Sequence, residues 1–320
     1  MENLIFSLNA TMPIFLMMVL GYVLHQIGWL DTDFASKLNK FVFLIPLPVN
    51  LFVQVSALDI RAAWDTRFVV FCFVATLLSV MIAAVLSRLL HDHAERGEFV
   101  QAAYRSSASL IGVAFIENIY GTAGMAPLMI IGAVPFYNIF SVLVLTFEAN
   151  DNGGTSGGKK DYSKIRKAVI NILKNPIIIA IVLGLLVAYF RIDFPDIVDN
   201  SINYVARTAT PLALIAMGAG FEGRAAVKKL GPTLAAAAIK LVLQPLVLIP
   251  LAVALGFRGE QLIGLVVMLA APATPSCYIM AKNMDNDGVL TASIVVMTTL
   301  LAAFTLTGWI FVLKCLQLIG

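Results

Sequence analysis

The sequence predicts an all-α polytopic membrane protein with ten transmembrane helices, and three observations support this fold class. Sixty per cent of the 320 residues are hydrophobic and 13% are charged, whereas about a quarter of a soluble chain is charged. Apolar segments of about 20 residues, long enough to cross the hydrocarbon core, recur along the whole chain. The alternating pattern of a membrane β-barrel is missing, so helices are the expected spanning structure.

The predicted spans occupy nearly the whole chain and leave no room for a soluble domain. They are 4–27, 36–57, 67–90, 98–121, 124–147, 168–190, 197–220, 231–256, 259–282 and 288–315. The segment 149–167 is rich in Gly, Asn and Lys and predicts a flexible linker. We therefore divide the chain into a first five-span repeat, 1–148, the linker, and a second five-span repeat, 168–320.

The two halves resemble each other at an offset of 163 residues. Residues 13–24 read PIFLMMVLGYVL, and residues 176–187 read PIIIAIVLGLLV. The same offset carries Pro48 onto Pro211, and we interpret both prolines as kinks that open space beside the centre of the fold. A repeat whose helices are interrupted at matching positions is the best sequence indication of a secondary transporter.

The distribution of basic residues predicts the orientation of the chain. Loops after odd-numbered spans and their flanks hold 15 of the 22 Lys and Arg residues, the other side holds six, and Lys240 lies within span eight. The positive-inside rule then places both termini outside and the linker in the cytoplasm. Because each repeat has five spans, the second must be inverted relative to the first.

Span nine is predicted to break. Pro272 and Pro275 each remove a backbone donor and clash with the preceding turn. Thr274 followed by Pro275 is typical of an N-cap and first helical residue, which predicts a second half-helix over about 275–284. Its first amides, from Thr274 to Ser276, would lie inside the membrane at the positive end of a helix dipole and could bind an anion.

Span four is predicted to break near 107–112, at a run of serines that follows Arg105. The offset places Gly112 opposite Pro275, and serine side chains can bond to freed backbone groups. The alternative is that these small residues only allow close helix packing. If both spans break and cross, Gly112, Pro272 and Pro275 form the structural centre of a composite site.

Several polar residues within the spans have two interpretations each. Lys240 either neutralises the negative half-helix ends at the crossing or acts as a counter-charge or proton carrier. Arg105 either meets an organic anion or is a loop-end topogenic charge. Glu117 is either the proton-coupling carboxylate or a span-end residue at the headgroups. Asn138 either ties helices together or faces a cavity and binds ligand.

The sequence disfavours an enzyme, a metalloprotein and a nucleic-acid-binding protein. The spans contain no nucleophile–base pair and no HExxH motif, and we expect no cofactor or metal. Cys72, Cys277 and Cys315 are far apart and are interpreted as packing residues. The expected partners are the lipid bilayer and a small organic anion, and the oligomeric state stays open between a monomer and a homodimer.

A series of short motifs resembles the auxin efflux carrier family, including its bacterial malate and malonate permease-like members. The motifs are Arg105 before a Ser/Gly-rich run, Pro135-Phe-Tyr-Asn138, Asn175-Pro176, Thr210-Pro211-Leu-Ala-Leu, Lys240-Leu-Val-Leu-Gln-Pro245, Ala271-Pro272-Ala-Thr-Pro275-Ser, Ala281-Lys282 and Thr298-Thr299-Leu. The resemblance covers the whole chain. It implies inverted five-helix repeats with crossing, broken helices four and nine, a fold similar to bile-acid symporters and sodium/proton antiporters, and a small organic anion as cargo.

The chain departs from the family pattern at Ser107, where an asparagine is usual, and at Ser109, where a glycine is usual. An amide that would contact a carboxylate is therefore absent, as is the long cytoplasmic loop of the plant carriers. Spans 4, 5, 9 and 10, with 3 and 8, are expected to form a core that moves against a scaffold of spans 1, 2, 6 and 7.

The resulting hypothesis is a carrier that moves a small carboxylate by alternating access in a prokaryotic inner membrane. The predicted substrate-binding residues are Arg105, Ser107, Ser109, Gly112, Asn138, Thr274, Pro275 and Ser276. The predicted proton-coupling candidates are Glu117 and Lys240, with coupling to H⁺, to Na⁺ or to neither ion left open. The alternatives are a Na⁺/H⁺-type antiporter, a bile-acid-type sodium symporter, and a substrate-sensing receptor on the same fold.

Overall fold

The computed structural model of the chain describes residues 2–57, 65–108, 116, 124–151, 170, 173–284 and 286–319, with backbone only for 2–11 and 148–151. Every regular element within these ranges is helical, which confirms the all-α fold class. The predicted residues Ser109, Gly112 and Glu117, and most of the linker 149–167, lie outside the described residues.

The α-helices of the described ranges follow one another with short connections. They are α1 Glu2–Gln26, α2 Thr32–Leu44, α3 Pro46–Ser56, α4 Thr66–Ser87, α5 Arg96–Tyr104, α6 Ala126–Asp151, α7 Pro176–Phe190, α8 Asp196–Ala219, α9 Gly223–Lys228, α10 Leu230–Ala238, α11 Gln244–Ala254, α12 Gly259–Ala270, α13 Ser276–Asn283 and α14 Val289–Cys315. A 3-10 turn, His93–Glu95, precedes α5, and a π-helical segment, Ile239–Leu243, joins α10 to α11.

Five helical stretches of the described chain are long and apolar enough to cross a membrane. They are Thr32–Ser56, Thr66–Ser87, Ala126–Phe147, Leu230–Ala254 and Val289–Cys315. Shorter apolar helices, Met12–Gln26, Pro176–Phe190 and Gly259–Ala270, coincide with predicted spans one, six and nine. The protein is therefore a polytopic integral membrane protein. The count of ten spans stays a prediction, because most of span four lies outside the described residues.

Spans two and six are each divided at a residue that precedes a proline. In span six, Ile170 and Leu173 are helical, and α7 begins at Pro176, because the Asn175 side chain accepts the Ile177 amide (3.0 Å) and caps a helix with proline at its first position. Span two is divided at Ile45, because a residue that precedes proline, here Pro46, disfavours helical geometry.

The helices of spans one, two, six and seven pack against one another. α8 packs on α1 and α3, and α3 packs on α7. Glycines allow the backbones of α1 and α8 to touch: a Cβ added at Gly21 would lie 2.2 Å from the Ile215 carbonyl oxygen, and one at Gly218 would lie 2.0 Å from that of Met18. The predicted division into scaffold and core concerns movement and stays a prediction.

Candidate functional site

Span nine is interrupted in the structure where its prolines predicted. α12 ends at Ala270, and α13 begins at Ser276, with Pro275 rather than Thr274 as its N-cap residue. The predicted cap was therefore one residue too early. The Cys277 and Tyr278 amides bond to the carbonyls of Thr274 and Pro275 (3.0 and 3.1 Å), so a tight first turn uses two of the amides nearest the N-terminus of α13.

Span four leaves helical geometry at Arg105, whose backbone is extended (φ −70°, ψ 139°). The described chain at 105–107 then meets the interruption of span nine. The Ser107 amide donates to the Pro272 carbonyl (2.9 Å), and the Ser106 hydroxyl lies 2.6 Å from the Met268 carbonyl oxygen. Polar groups of the span-four interruption thus donate hydrogen bonds to carbonyls at the span-nine interruption. Without these bonds the carbonyls would be unpaired in an apolar core.

The Arg105 guanidinium lies at this meeting point and is 2% exposed. Its Nη2 donates to Asn138 Oδ1 and Ser276 Oγ (2.8 Å each), and its Nη1 donates to Ser141 Oγ (3.3 Å) and Met280 Sδ (2.8 Å). All four partners are neutral. The interpretation of Arg105 as a loop-end topogenic charge does not fit this burial.

No ion pair involves Arg105 within the described ranges, and its Nε is buried without a hydrogen-bond acceptor there. Burying a guanidinium without a negative partner is costly, and dipoles of hydroxyl and amide groups offset only part of that cost. The arrangement is therefore suited to a bound anion, which would complete both the charge balance and the hydrogen bonding of Arg105.

A small cavity borders Arg105 and has a volume of about 50 Å³. Its lining within the described chain is Leu47, Asn50, Leu51, Gln54, Arg105, Ser106, Ser107, Val134, Tyr137, Asn138, Ala209, Thr210, Ala213, Thr274, Pro275 and Ser276. Every predicted substrate-binding residue that the structure describes belongs to this lining. Since a water-sized group needs about 10–15 Å³ on this measure, the cavity has room for roughly three to five such groups.

The side chains from α6 are held in place by backbone carbonyls and by one another. The Asn138 amide donates to the Val134 carbonyl (2.9 Å), so its oxygen is directed at Arg105. The Tyr104 hydroxyl contacts the Tyr137 carbonyl and the Ser141 hydroxyl (2.8 Å each). A network of this kind, carried by helices, fixes the guanidinium plane before any ligand arrives, although Arg105 Nε keeps no acceptor in the described chain.

Lys240 is fully buried in the π-helical segment and does not line the cavity. Its ammonium donates to the carbonyls of Tyr104 (3.2 Å) and Leu269 (2.7 Å), which lie at the C-terminal ends of α5 and α12. Gln244, one turn further, donates to the Ala103 carbonyl (3.1 Å). These contacts place positive charge and donors on the negative ends of two helix dipoles.

Two residues of the site escaped the sequence analysis. Ser141 and Met280 contact Arg105 from α6 and α13 and have no distinguishing motif, although Ser141 lies three residues beyond Asn138 on the same helical face. Glu98 was also missed as a buried carboxylate. It accepts the amides of Gly288 and Thr291 (3.0 and 2.9 Å) and so caps the start of α14.

No group of three or more metal-ligating side chains occurs in the part of the chain that the structure describes. Cys72 and Cys277 are free thiols and buried, as expected of packing residues, whereas Cys315 is exposed and does not fit that interpretation.

Interrupted membrane helices that border a cavity lined partly by polar side chains have the architecture of a membrane transporter. Residues 6–310 match the family described as "Membrane transport protein", and the chain belongs to this family, the auxin efflux carrier family. Membership confirms the resemblance found in the sequence and the prediction that the chain is not an enzyme.

The chain is similar over nearly its full length to several transporters. It is 24% identical over 309 residues to an "Uncharacterized transporter" of Methanothermobacter thermautotrophicus, covering 96% of this chain and 98% of the relative. It is 25% identical to a "Putative malonate transporter" of Rhizobium meliloti, covering 96% and 95%. A "Probable auxin efflux carrier component 5c" of Oryza sativa is 27% identical over 158 residues, 48% of this chain and 43% of the relative.

Proposed function

We propose that this transporter is a secondary carrier that moves a small organic anion by alternating access, with the carboxylate bound at Arg105. The observation that carries the proposal is a buried guanidinium whose partners among the described residues are all neutral, at the edge of a cavity. A transported carboxylate would supply the missing negative charge. When the anion leaves, the guanidinium is again buried without a negative partner. This cost in the free protein is part of what the bound anion offsets.

The size of the cavity supports a carboxylate of malonate size over one of auxin size. A cavity with room for only a few water-sized groups suits a small acid better than one that carries an indole ring. The relative described as a "Putative malonate transporter" aligns with the chain over nearly its full length. We therefore propose a small carboxylate as the substrate class of this transporter.

The proposal includes the predicted architecture of two inverted repeats, 1–148 and 168–320, joined by the cytoplasmic linker 149–167, with both termini outside a prokaryotic inner membrane. The contact between the interruptions of spans four and nine supports it, because inverted repeats bring such half-helix ends together at mid-depth. The core of spans 4, 5, 9 and 10 would carry Arg105 and its partners past the scaffold.

The antiporter and sodium-symporter alternatives find less support in the described residues. A cation carrier needs carboxylates at the crossing, and no Asp or Glu lines the described part of the cavity. Lys240 donates to two carbonyls, which favours its structural interpretation over proton transfer.

Uptake of labelled small carboxylates into proteoliposomes tests the proposal. Arg105→Gln should lower initial uptake at least about 30-fold, because truncating one partner of a buried charge pair costs about 2–5 kcal/mol. Arg207→Gln is the matched control, because Arg207 is exposed on α8 and should leave uptake unchanged. A correctly inserted Arg105→Gln protein with wild-type uptake of every acid would contradict the proposed site.

A further inference from the structure

The wall of the cavity that α3 forms carries two amide side chains, Asn50 and Gln54, one helical turn apart. α3 packs against α7 and α8, whereas Arg105 and its partners lie on α5, α6 and α13 and at the ends of those helices. The amide pair and the guanidinium therefore belong to different walls of one cavity.

The hydrogen bonds of this pair fix which way both amides face. The Ala206 carbonyl can only accept, so Asn50 must direct its NH₂ group to it (3.1 Å). The Asn50 oxygen is then left to accept from the Gln54 NH₂ group. Gln54 Oε1 remains, and it is buried without a donor in the described part of the chain. A buried acceptor without a donor is uncommon in a native protein and calls for an explanation.

The wall that carries Arg105 has the reverse polarity. Asn138 and Ser276 both accept from Arg105, and the Asn138 amide is committed to the Val134 carbonyl. This wall therefore offers a ligand the positive charge of Arg105 and its Nε donor, which has no acceptor in the described chain, while the Ser276 hydroxyl already contacts the Thr274 hydroxyl (3.2 Å). One wall is suited to a carboxylate, and the other is suited to a hydrogen-bond donor.

We infer that Gln54 determines specificity and that the transported anion is a small monoanion with a hydrogen-bond donor at the end remote from its carboxylate. The inference rests on the proposed function. The donor is a hydroxyl or an un-ionised carboxyl group, from which Gln54 Oε1 accepts. A fully ionised dicarboxylate would direct a second negative oxygen at that acceptor and is disfavoured, and an acid with an apolar end leaves the acceptor unpaired.

Two acids of nearly equal size separate these cases in binding measurements on the purified protein. Wild-type protein should bind 3-hydroxypropanoate at least about 10-fold more tightly than propanoate, because a site that bonds a hydroxyl group rejects the analogue that lacks it. In Gln54→Leu that ratio should fall to about one, through weaker binding of the hydroxy acid. Gln26→Leu, at an exposed position at the end of α1, is the matched control and should keep the wild-type ratio.

The ionisation of a diacid gives a second test that uses wild-type protein alone. Affinity for propanedioate should rise as the pH is lowered through its second ionisation, because the monoanion then becomes the dominant form. Affinity for 3-hydroxypropanoate, which has no second ionisation, should stay constant across the same range and so controls for titration of the protein.

The outcomes distinguish this inference from the function on which it rests. Equal wild-type affinities for the two acids, or a ratio that survives in Gln54→Leu, overturn the role of Gln54. If the binding of both acids then still depends on Arg105, the proposed function stands. If neither acid binds wild-type protein, or if binding does not change in Arg105→Gln, both proposals are overturned.

Discussion

Arg105 and Lys240 are both buried cations at the meeting point of the two interruptions, yet their surroundings differ. The Lys240 ammonium contacts two backbone carbonyls at the C-terminal ends of α5 and α12. The Arg105 guanidinium contacts four neutral side chains and retains an Nε without an acceptor in the described chain. Lys240 therefore stabilises helix ends at the meeting point, whereas Arg105 lines the cavity.

Burial alone does not reveal what a charged residue such as Arg105 or Lys240 does. The charge of Lys240 interacts with the negative ends of two helix dipoles, so the folded protein itself compensates the burial of this charge. Within the described residues, the charge of Arg105 is balanced by side-chain dipoles alone, so an anion that binds there gains a strong, charge-assisted interaction. The role of each residue depends on whether the folded protein alone supplies all of its hydrogen-bond acceptors and compensating charge.

The largest expected effect comes from Lys240→Met, which keeps the length of the side chain and removes its charge. Carbonyls at the ends of α5 and α12 would lose their donor inside the membrane, and we expect a loss of about 3 kcal/mol of stability, since each unsatisfied buried group costs about 1–3 kcal/mol. Denaturant or thermal unfolding in detergent measures this loss.

Lys282→Met, at an exposed position on α13, is the control for Lys240→Met and should unfold like the wild type. A Lys240→Met protein of wild-type stability that has lost substrate binding would contradict the structural role of Lys240. It would show that Lys240 contributes to ligand binding.

The second prediction supplies Arg105 with an internal counter-ion. Asn138→Asp replaces a neutral acceptor of the guanidinium with a charged one, so the site should no longer need a ligand. We expect affinity for small carboxylates to fall at least about 30-fold, as for loss of a buried charge pair. Stability should rise by about 1 kcal/mol, because the new charged bond outweighs the lost bond to the Val134 carbonyl.

Ligand titration and unfolding of the same preparation measure both effects of Asn138→Asp. Asn175→Asp is the matched control, because aspartate caps a helix as well as asparagine does. Unchanged anion affinity in Asn138→Asp would show that the binding site does not include Arg105.

The sequence predicted the interruption of span nine at its prolines and that of span four two residues late, and it named Asn138 and Ser276 but not the other partners of Arg105. Proline acts locally, through a missing donor and a clash with the preceding turn, so Pro272 and Pro275 indicate a break without knowledge of the fold. Ser141 and Met280 reach Arg105 only because α6 and α13 pack beside it, and no local pattern encodes that packing.

The boundaries of helices were predicted less well than their existence. Span six is predicted as one helix because its apolar residues extend before Asn175, whereas the Asn175 cap and Pro176 start a separate helix, α7. Glu98 was overlooked because a carboxylate near a span end resembles a headgroup contact, and only the fold shows that it caps α14.

The smallest expected effect concerns a third cation, Lys229, which has its own carboxylate partners at the end of α9. It pairs with Asp287 (2.8 Å) and Glu95 (3.2 Å) outside the spans. Burial favours the neutral amine, yet its bonds to Asp287 and Glu95 raise the pKa of Lys229. Burial likewise opposes ionisation of Asp287, but the bond from Lys229 holds the pKa of that carboxyl below its ordinary value.

Asp287→Asn should therefore cost only about 0.2–1 kcal/mol, since Asp287 is more than half exposed and its pair is screened by solvent. Asparagine can keep the bond that Asp287 accepts from the Val289 amide, so the change isolates the charge. The cost should be constant from about pH 5 to pH 9. It should disappear as acid protonates Asp287 below its ordinary pKa of about 3.9, or as base deprotonates Lys229 above its ordinary pKa of about 10.4. Unfolding measured across pH and at about 1 M salt, which should reduce this cost but not that of Lys240→Met, separates a screened surface pair from a buried one.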